Sequence, residues 1–372
     1  MDEQRLKDSF ARVAGYGDEV ALFFYSHLFL AHPELRDMFP VSMSVQRDRL
    51  LNALGQVVSD VGQLDSLVPF LAELGRDHRK FGVRSEHYPA VGRSLVATLA
   101  HFAGDAWDAE LARDWTTAYG LVSQAMIEAA EQDERGGNPP WRDATVISHE
   151  RRTLDIAVIK VAPRQHLAYQ PGQSVAIEIP QRPRLWRVYS MANAPRPDGT
   201  IDFHVRIVDG GQVSAILGRG PGLGSTLRLG PPFGSLALGP RSGNPIVMAA
   251  GGTGLAPLKA ILEQLGGQEA TPDVHLFFGS RTAAELYDLP DLDKLAVSFP
   301  WLTVTPVVSQ DPGFAGERGT VADALARHGT WRDHDAYVCG SDAMVTATVS
   351  RLAALGISAE RTFIENFGWS EL

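Results

Sequence analysis

Residues Arg135-Gly136-Gly137-Asn138-Pro139-Pro140 constrain the fold of this chain more than any other stretch. Two glycines and two prolines so close together can neither continue a helix nor pair in a sheet, since glycine is entropically costly to fix and proline lacks the amide donor. The chain must divide there, and its texture differs on the two sides. Before the break, apolar residues recur at helical spacing, as in Val20, Phe23, Phe24 and Leu28, and again in Leu50, Leu51, Leu54, Val57, Val58 and Val61. Interruptions at Ala31-His32-Pro33, Phe39-Pro40, Val68-Pro69, Phe81-Gly82 and Ala103-Gly104 predict about six helices joined by brief turns. After the break, β-branched or alternating runs at 156–161, 174–179 and 201–207 are separated by Gly and Pro turns and read as an antiparallel barrel. From Pro245 the strands at 246–250, 274–278 and 336–339 look buried on both faces and alternate with helical segments, which predicts a parallel α/β sheet. The expected architecture is multidomain: an all-α domain over 1–135, an antiparallel β-barrel over 139–240 and an α/β parallel-sheet domain over 241–372.

Composition narrows the function classes. With 44% hydrophobic and 21% charged residues the chain is globular. A net charge of -10 and the lack of any Lys/Arg run exclude nucleic acid as the expected partner. No apolar stretch is long enough for a membrane span, and Met1-Asp2-Glu3-Gln4-Arg5 is not a charged-then-apolar export signal, so a cytoplasmic protein is expected. Cys339 is the single cysteine, which excludes an internal disulfide and any multi-cysteine zinc or iron-sulfur site. No obligate protein partner is evident.

The strand at 246–250 runs into Gly251-Gly252-Thr253-Gly254-Leu255-Ala256-Pro257 and then a helical run. Glycines at such a turn let backbone amides approach a pyrophosphate, and the helix N-terminus adds partial positive charge. The next strand ends in Phe278-Gly279-Ser280-Arg281-Thr282, whose hydroxyl and guanidinium could meet a ribose or phosphate, or form a plain solvated turn. The last strand ends in Cys339-Gly340-Ser341-Asp342, again a small-residue turn before a helix. Within the barrel, Arg187-Val188-Tyr189-Ser190 looks like a strand edge. Its Arg can pair with a pyrophosphate, its Tyr can lie on an isoalloxazine, and its Ser can bond the flavin N5. Gly210-Gly211-Gln212-Val213-Ser214 then opens a short helix.

The order Tyr169-Gln170-Pro171-Gly172-Gln173, Arg-x-Tyr-Ser, Gly-Gly-x-Val-Ser, Gly-Thr-Gly-x-Ala-Pro, Cys-Gly, then Glu365-Asn366-Phe367-Gly368 resembles the ferredoxin-NADP reductase superfamily, from about Trp141 to Leu372. The resemblance implies that Arg187 holds FAD phosphate, that Tyr189 and Ser190 meet the flavin ring and N5, and that Tyr169 meets its adenine-side or ribityl edge. It places Gly211, Gln212, Val213 and Ser214 on the pyrophosphate, and Gly252, Thr253 and Gly254 on NAD(P)H. Cys339 and Gly340 would lie near the nicotinamide, and Glu365 and Phe367 would close over the flavin. Ser341 stands where many members have Pro. NADH is favoured over NADPH as donor.

In the helical third, a lone histidine is more often a surface or core residue than a ligand. Of His27, His32, His78, His87 and His101, His78 stands near a helix end before a Gly break, where an imidazole can serve as a haem axial ligand. Tyr25 sits inside an apolar face, and a buried phenol needs a partner. Phe24-Tyr25, His32-Pro33-Glu34-Leu35, Met38-Phe39, Gln46-Arg47, then His78 with Phe81 and Tyr88 closely resemble a globin of the bacterial flavohaemoglobin family, and the whole chain has that family's layout. The resemblance implies haem b with His78 as proximal iron ligand, Tyr25 and Gln46 as distal groups, Leu50 guarding the distal pocket, Phe39 on the porphyrin and Tyr88 in the proximal network. The family's proximal glutamate falls on Ala130, with Glu128 and Glu131 close by, so either the register slips or the link is missing.

The function so implied is a nitric oxide dioxygenase for nitrosative stress, in which NAD(P)H reduces FAD, FAD reduces haem, and NO and O2 become nitrate. A reductase serving a quinone, a ferric chelate or an oxygenase component is the rival enzyme reading, favoured by Met191-Ala192-Asn193 after the Arg-x-Tyr-Ser motif. A globin O2 or redox sensor is the non-catalytic one.

Overall fold

The computed structural model describes residues 1–239 and 243–366, in two compact units that part between Trp141 and Arg142. The first unit is helical: α1 (Glu3–Ala14), α2 (Asp18–Ala31), α3 (Ser44–Ser59), α4 (Leu64–His78), α5 (Tyr88–Ala103) and α6 (Ala109–Arg135). The side chains of Asp2 and Asp108 accept the free amides that open α1 and α6. α2 is apolar nearly all round and buries Val20, Phe24, Tyr25 and Leu28 against Leu95, Leu99, Leu111 and Trp115. Trp115 donates its indole N–H to Ser9 Oγ at 2.9 Å, which ties α6 to α1 inside this core.

One expected break does not occur. Pro69 lies inside α4, where the pattern predicts an interruption at Val68-Pro69. Its ring is on the exposed side of the helix, and the carbonyl that loses its helical donor belongs to exposed Asp65, where solvent can reach it. The interruption at Phe81-Gly82 is real: α4 ends at His78, a 3-10 turn covers Arg79–Phe81, and Gly82 takes φ +77°, a conformation that only glycine adopts cheaply.

The second unit opens with β1 (Arg142–Arg151), β2 (Ile156–Pro163), β3 (Ser174–Ile179), β4 (Arg182–Ser190), β5 (Ile201–Arg206), α7 (Ser214–Arg219) and β6 (Thr226–Leu229). These strands pair antiparallel in the order β4-β3-β6-β1-β2-β5. A bridge between Met191 and Phe203 joins the two outermost strands, so the sheet curls into a barrel around Val146, Ile159, Val175, Ile177 and Phe203. Then follow β7 (Ile246–Gly251), α8 (Leu255–Gly266), β8 (Val274–Ser280), α9 (Leu289–Ser298), β9 (Leu302–Val308), β10 (Glu317–Arg318), α10 (Val321–Arg327), β11 (Asp335–Gly340), α11 (Asp342–Ala354) and β12 (Thr362–Asn366). This sheet is parallel, in the order β10-β9-β8-β7-β11-β12, and apolar clusters cover both of its faces. The chain leaves β7 toward β8 on one side and returns as β11 on the other, so a crevice opens at the carboxyl ends of β7 and β11. No helix among the described residues is long and apolar enough to cross a membrane.

Candidate functional site

The helical unit encloses one cavity lined by Tyr25, Phe39, Gln46, Leu50, His78 and Tyr88, together with Phe24, Leu28, Leu54, Leu95, Val122 and Met126. His78 reaches it because α4 stops there. Its Nδ1 lies 2.7 Å from the Leu74 carbonyl one turn back. A carbonyl only accepts, so Nδ1 carries the proton and Nε2 keeps its lone pair. Burial pushes the imidazole pKa below its usual value, which holds the ring neutral. A neutral imidazole with a free lone pair in an apolar cavity is the donor that haem iron takes, so the residues present fit haem.

From α2 and α3, Tyr25 and Gln46 line the same cavity. The Tyr25 hydroxyl donates to the Gln46 backbone carbonyl at 3.3 Å. That is long for an O–H···O bond, so the phenol retains capacity for a better-placed acceptor. Burial raises its pKa, so it stays a donor. Phe39 meets Tyr25 edge-on at 5.5 Å between ring centroids.

In the second unit a cavity of about 830 Å³ lies between the barrel and the parallel sheet. The barrel contributes Arg187, Tyr189, Ser190, His204 and Arg206, and the loop into α7 contributes Gly211, Val213 and Ser214. Gly252, Thr253, Ser280, Arg281, Glu285, Ser341 and Thr348 line it from the parallel sheet. Gly252 has φ +53°, and a Cβ there would lie 3.3 Å from the Arg206 guanidinium, so a glycine turn and a cation meet. Gly254 must be glycine for another reason: a Cβ would sit 2.4 Å from the Cys339 carbonyl oxygen. The Thr348 hydroxyl is fully buried, faces this cavity and has no hydrogen-bond partner. An orphaned hydroxyl beside a glycine turn, a helix N-terminus and guanidinium groups fits a bound dinucleotide.

Ser190, at the end of β4, belongs to a trio of two buried hydroxyls and the half-buried Glu365 carboxylate. Ser174 Oγ donates to Glu365 at 2.6 Å and lies 3.0 Å from Ser190 Oγ, which is 3.4 Å from the same carboxylate. Burial raises the Glu365 pKa against the two hydroxyls, which lower it.

Three family models match the chain in this order: globin over residues 22–126, oxidoreductase FAD-binding domain over 141–237 and oxidoreductase NAD-binding domain over 248–350. A flavohaemoprotein of Bordetella parapertussis is 27% identical over 95% of this chain and 94% of its own length. The chain belongs to the flavohaemoglobin family. It is an NAD(P)H oxidoreductase that binds haem, FAD and the nicotinamide dinucleotide. The fold agrees with a flavohaemoglobin of Malassezia yamatoensis at a TM-score of 0.82 and 20% identity, over 98% of both chains. Over the reductase alone the identity is higher. The xylene/toluene monooxygenase electron transfer component of Pseudomonas putida is 34% identical over 61% of this chain, and the match spans 66% of that relative's length. The ferredoxin-NAD(P)+ reductase component of a naphthalene 1,2-dioxygenase system of the same species is 33% identical, over 66% of this chain and 75% of its own length.

Within this flavohaemoglobin fold, the six globin positions singled out from sequence share one cavity, whereas the reductase positions are brought together less completely. Tyr169 is engaged with Asn193, donating to its carbonyl at 2.9 Å, and does not line the cavity. Gln212 is exposed, while Gly254, Cys339 and Gly340 lie beneath the lining. Phe367 falls outside the described residues. On the proximal side the stripe of α6 that lines the haem cavity is Trp115, Ala118, Tyr119, Val122, Ser123 and Met126, and its helical continuation is Ala129 and Ala130. Glu128 and Glu131 flank that stripe and are exposed, with Glu128 accepting from Gln124 Nε2 at 2.7 Å. Among the described residues no α6 carboxylate lines the cavity, and the carboxylate that does, Asp77, is paired with Lys80. Tyr88 lines it as well, its pKa raised by burial to about 12.

Four contributors carry no motif and were not legible in advance. Ser174, His204, Arg206 and Thr348 reach their places through strand and helix register alone. Of the other globin histidines, His27 bonds Ser94, His32 pairs with Glu34 and His101 stacks on Phe23, while His87 also lines the cavity and accepts the Arg84 backbone N–H on Nδ1 at 3.1 Å.

Proposed function

We propose that this chain is a nitric oxide dioxygenase, converting two NO and two O2 to two nitrates for each NAD(P)H oxidised. The supporting observation is that Tyr25 and Gln46 share one apolar cavity with His78, on a chain that also carries its own nicotinamide-linked reductase. When bound, haem supplies the redox-active iron and FAD splits the hydride's electron pair into single electrons. The residues do the rest. His78 offers a neutral imidazole whose orientation is fixed by Leu74. Tyr25 offers a hydroxyl that burial keeps protonated. Leu28, Leu50 and Leu54 exclude water, which would compete for that hydroxyl. In the reductase, Arg187 and Arg206 supply positive charge for phosphates, and the Ser174, Ser190 and Glu365 trio holds exchangeable protons where Ser190 faces the cavity. The working modules are 1–135, 139–240 and 241–372, and no obligate protein partner is required.

The test is NO decay by the NADH-supplied protein with and without O2. Rapid, O2-dependent loss with nitrate as product is expected; O2-independent loss would replace this reading with NO reduction. The greater identity of the reductase to oxygenase electron-transfer components favours a second reading, in which another acceptor draws on the same flavin. NADH oxidation that is fast with a quinone, a ferric chelate or an oxygenase component, yet slow with NO, would establish it.

A further inference from the structure

We propose that Glu285 makes this reductase select NADH over NADPH, by occupying the guanidinium that would otherwise receive the 2'-phosphate. The proposal rests on the reductase reading of the second unit, not on the nature of the final electron acceptor.

In a parallel α/β sheet that holds a pyrophosphate at the turn after one strand, the adenosine ribose extends over the carboxyl end of the neighbouring strand, and the residues there read its 2' position. β7 carries the glycine turn, and β8 pairs with it along its whole length. β8 ends at Ser280 and continues into Arg281, Thr282 and a 3-10 turn, Ala283–Glu285. Among the described cavity-lining residues of the parallel-sheet half, Arg281 is the one cation.

That cation is already taken. Arg281 Nη2 donates to Glu285 Oε1 at 3.0 Å, Nε donates to Oε2 at 3.3 Å, and the Arg281 backbone N–H donates to the same Oε2 at 3.2 Å. Both carboxylate oxygens and the bidentate edge of the guanidinium are thereby used. The neighbouring hydroxyl is committed too, since Ser280 Oγ donates to the Thr282 carbonyl at 2.7 Å. The turn itself is held from β9's end, where Ser309 Oγ donates to the Ser280 carbonyl at 3.2 Å and the Gln310 backbone N–H to the Arg281 carbonyl at 2.7 Å.

A 2'-phosphate would bring close to two negative charges to a place where a carboxylate stands and already holds the bidentate edge of the one guanidinium. Arg281 is 59% exposed and could swing away, but that would strand Glu285, only 20% exposed, beside the phosphate. A 2'-hydroxyl has the opposite requirement. It needs an acceptor, and the remaining lone pairs of Glu285 and of Ser280 Oγ supply one. Arg281 alone reads as an NADPH residue; Arg281 with Glu285 reads as an NADH one.

Anaerobic stopped-flow bleaching of the flavin in the full holoprotein tests this. NADH is expected to reduce the wild type with a second-order constant ~100-fold or more above that of NADPH. Glu285→Gln is expected to narrow that ratio by ~10-fold, mainly through faster reduction by NADPH. Adding Arg281→Ala to Glu285→Gln should abolish the gain, because the released guanidinium is what the phosphate would use. A wild type that uses both nucleotides within ~3-fold, or a ratio that ignores Glu285→Gln, overturns the proposal. If neither nucleotide bleaches the flavin, the reductase reading falls, and this inference with it.

Discussion

His78 and Ser174 show two ways in which a single residue acquires a role. His78 gets its tautomer from Leu74 in its own helix, so its use as a ligand depends on local geometry that the sequence around Gly82 already encodes. Ser174 depends on a strand more than 190 residues away, since its hydroxyl meets Glu365 at 2.6 Å across the two halves of the reductase. A hydrogen bond to a carboxylate is worth about 1.5–3 kcal/mol, so Ser174→Ala should slow flavin reduction by NADH by about tenfold. Anaerobic bleaching of the flavin measures this, and an unchanged rate would show that Ser190 and Glu365 work without it. Among the described residues, the proximal side of the haem cavity lacks the α6 carboxylate that the family resemblance implies. Alanine occupies both positions where the α6 stripe continues. The two nearby glutamates lie outside that stripe because a helix turns about 100° per residue.

At the scale of elements, β8 carries a titration that bears on stability. His275 stacks on Phe277 at 4.3 Å between ring centroids and bonds Thr305 Oγ1 at 2.8 Å. Burial, with smaller repulsion from His328 and His334, lowers its pKa from 6.5 to about 4. Between those two values the unfolded chain binds the proton and the folded chain does not, so protonation favours unfolding. Stability from this group is complete above about pH 6.5, declines as the pH falls, and stops declining below about pH 4. The melting temperature of the reductase should fall across that window, and His275→Gln should flatten the slope. An identical slope in the variant would place the acid sensitivity elsewhere. α4 teaches a related lesson. Its proline reads as a break, yet the helix runs through it because the lost acceptor is at the solvent-facing side, a fact about burial that the tripeptide around Pro69 does not contain.

At the scale of the whole molecule, the two halves of the reductase are joined by buried charge. Asp288 is fully buried at the start of α9; it accepts from Lys259 of α8 at 2.6 Å and faces Arg152 of the barrel, which also pairs with Asp291 at 2.9 Å. Burial raises the Asp288 pKa while Lys259 and Arg152 oppose it. Lys259→Met should therefore cost about 3 kcal/mol by leaving a buried carboxylate short of its partner, and adding Asp288→Asn should recover most of the loss. Denaturant unfolding of the single and double variants measures both, and additive losses would mean the pair is not coupled. By itself, the sequence determined a break in the Gly- and Pro-rich stretch 135–140, the class of each part and the glycine turn of the nicotinamide half, because periodicity and turn chemistry are local properties, whereas the haem-cavity positions followed from the family resemblance. Only the tertiary structure decided that Ser174 joins Ser190 and Glu365, that Arg206 meets Gly252, and that Cys339 lies beneath the cavity wall. It also decided that Glu285, four residues along the same turn, accepts from the Arg281 guanidinium with both of its carboxylate oxygens. Those relations depend on which side chains share a space once strands far apart in sequence lie side by side, and no local pattern specifies that.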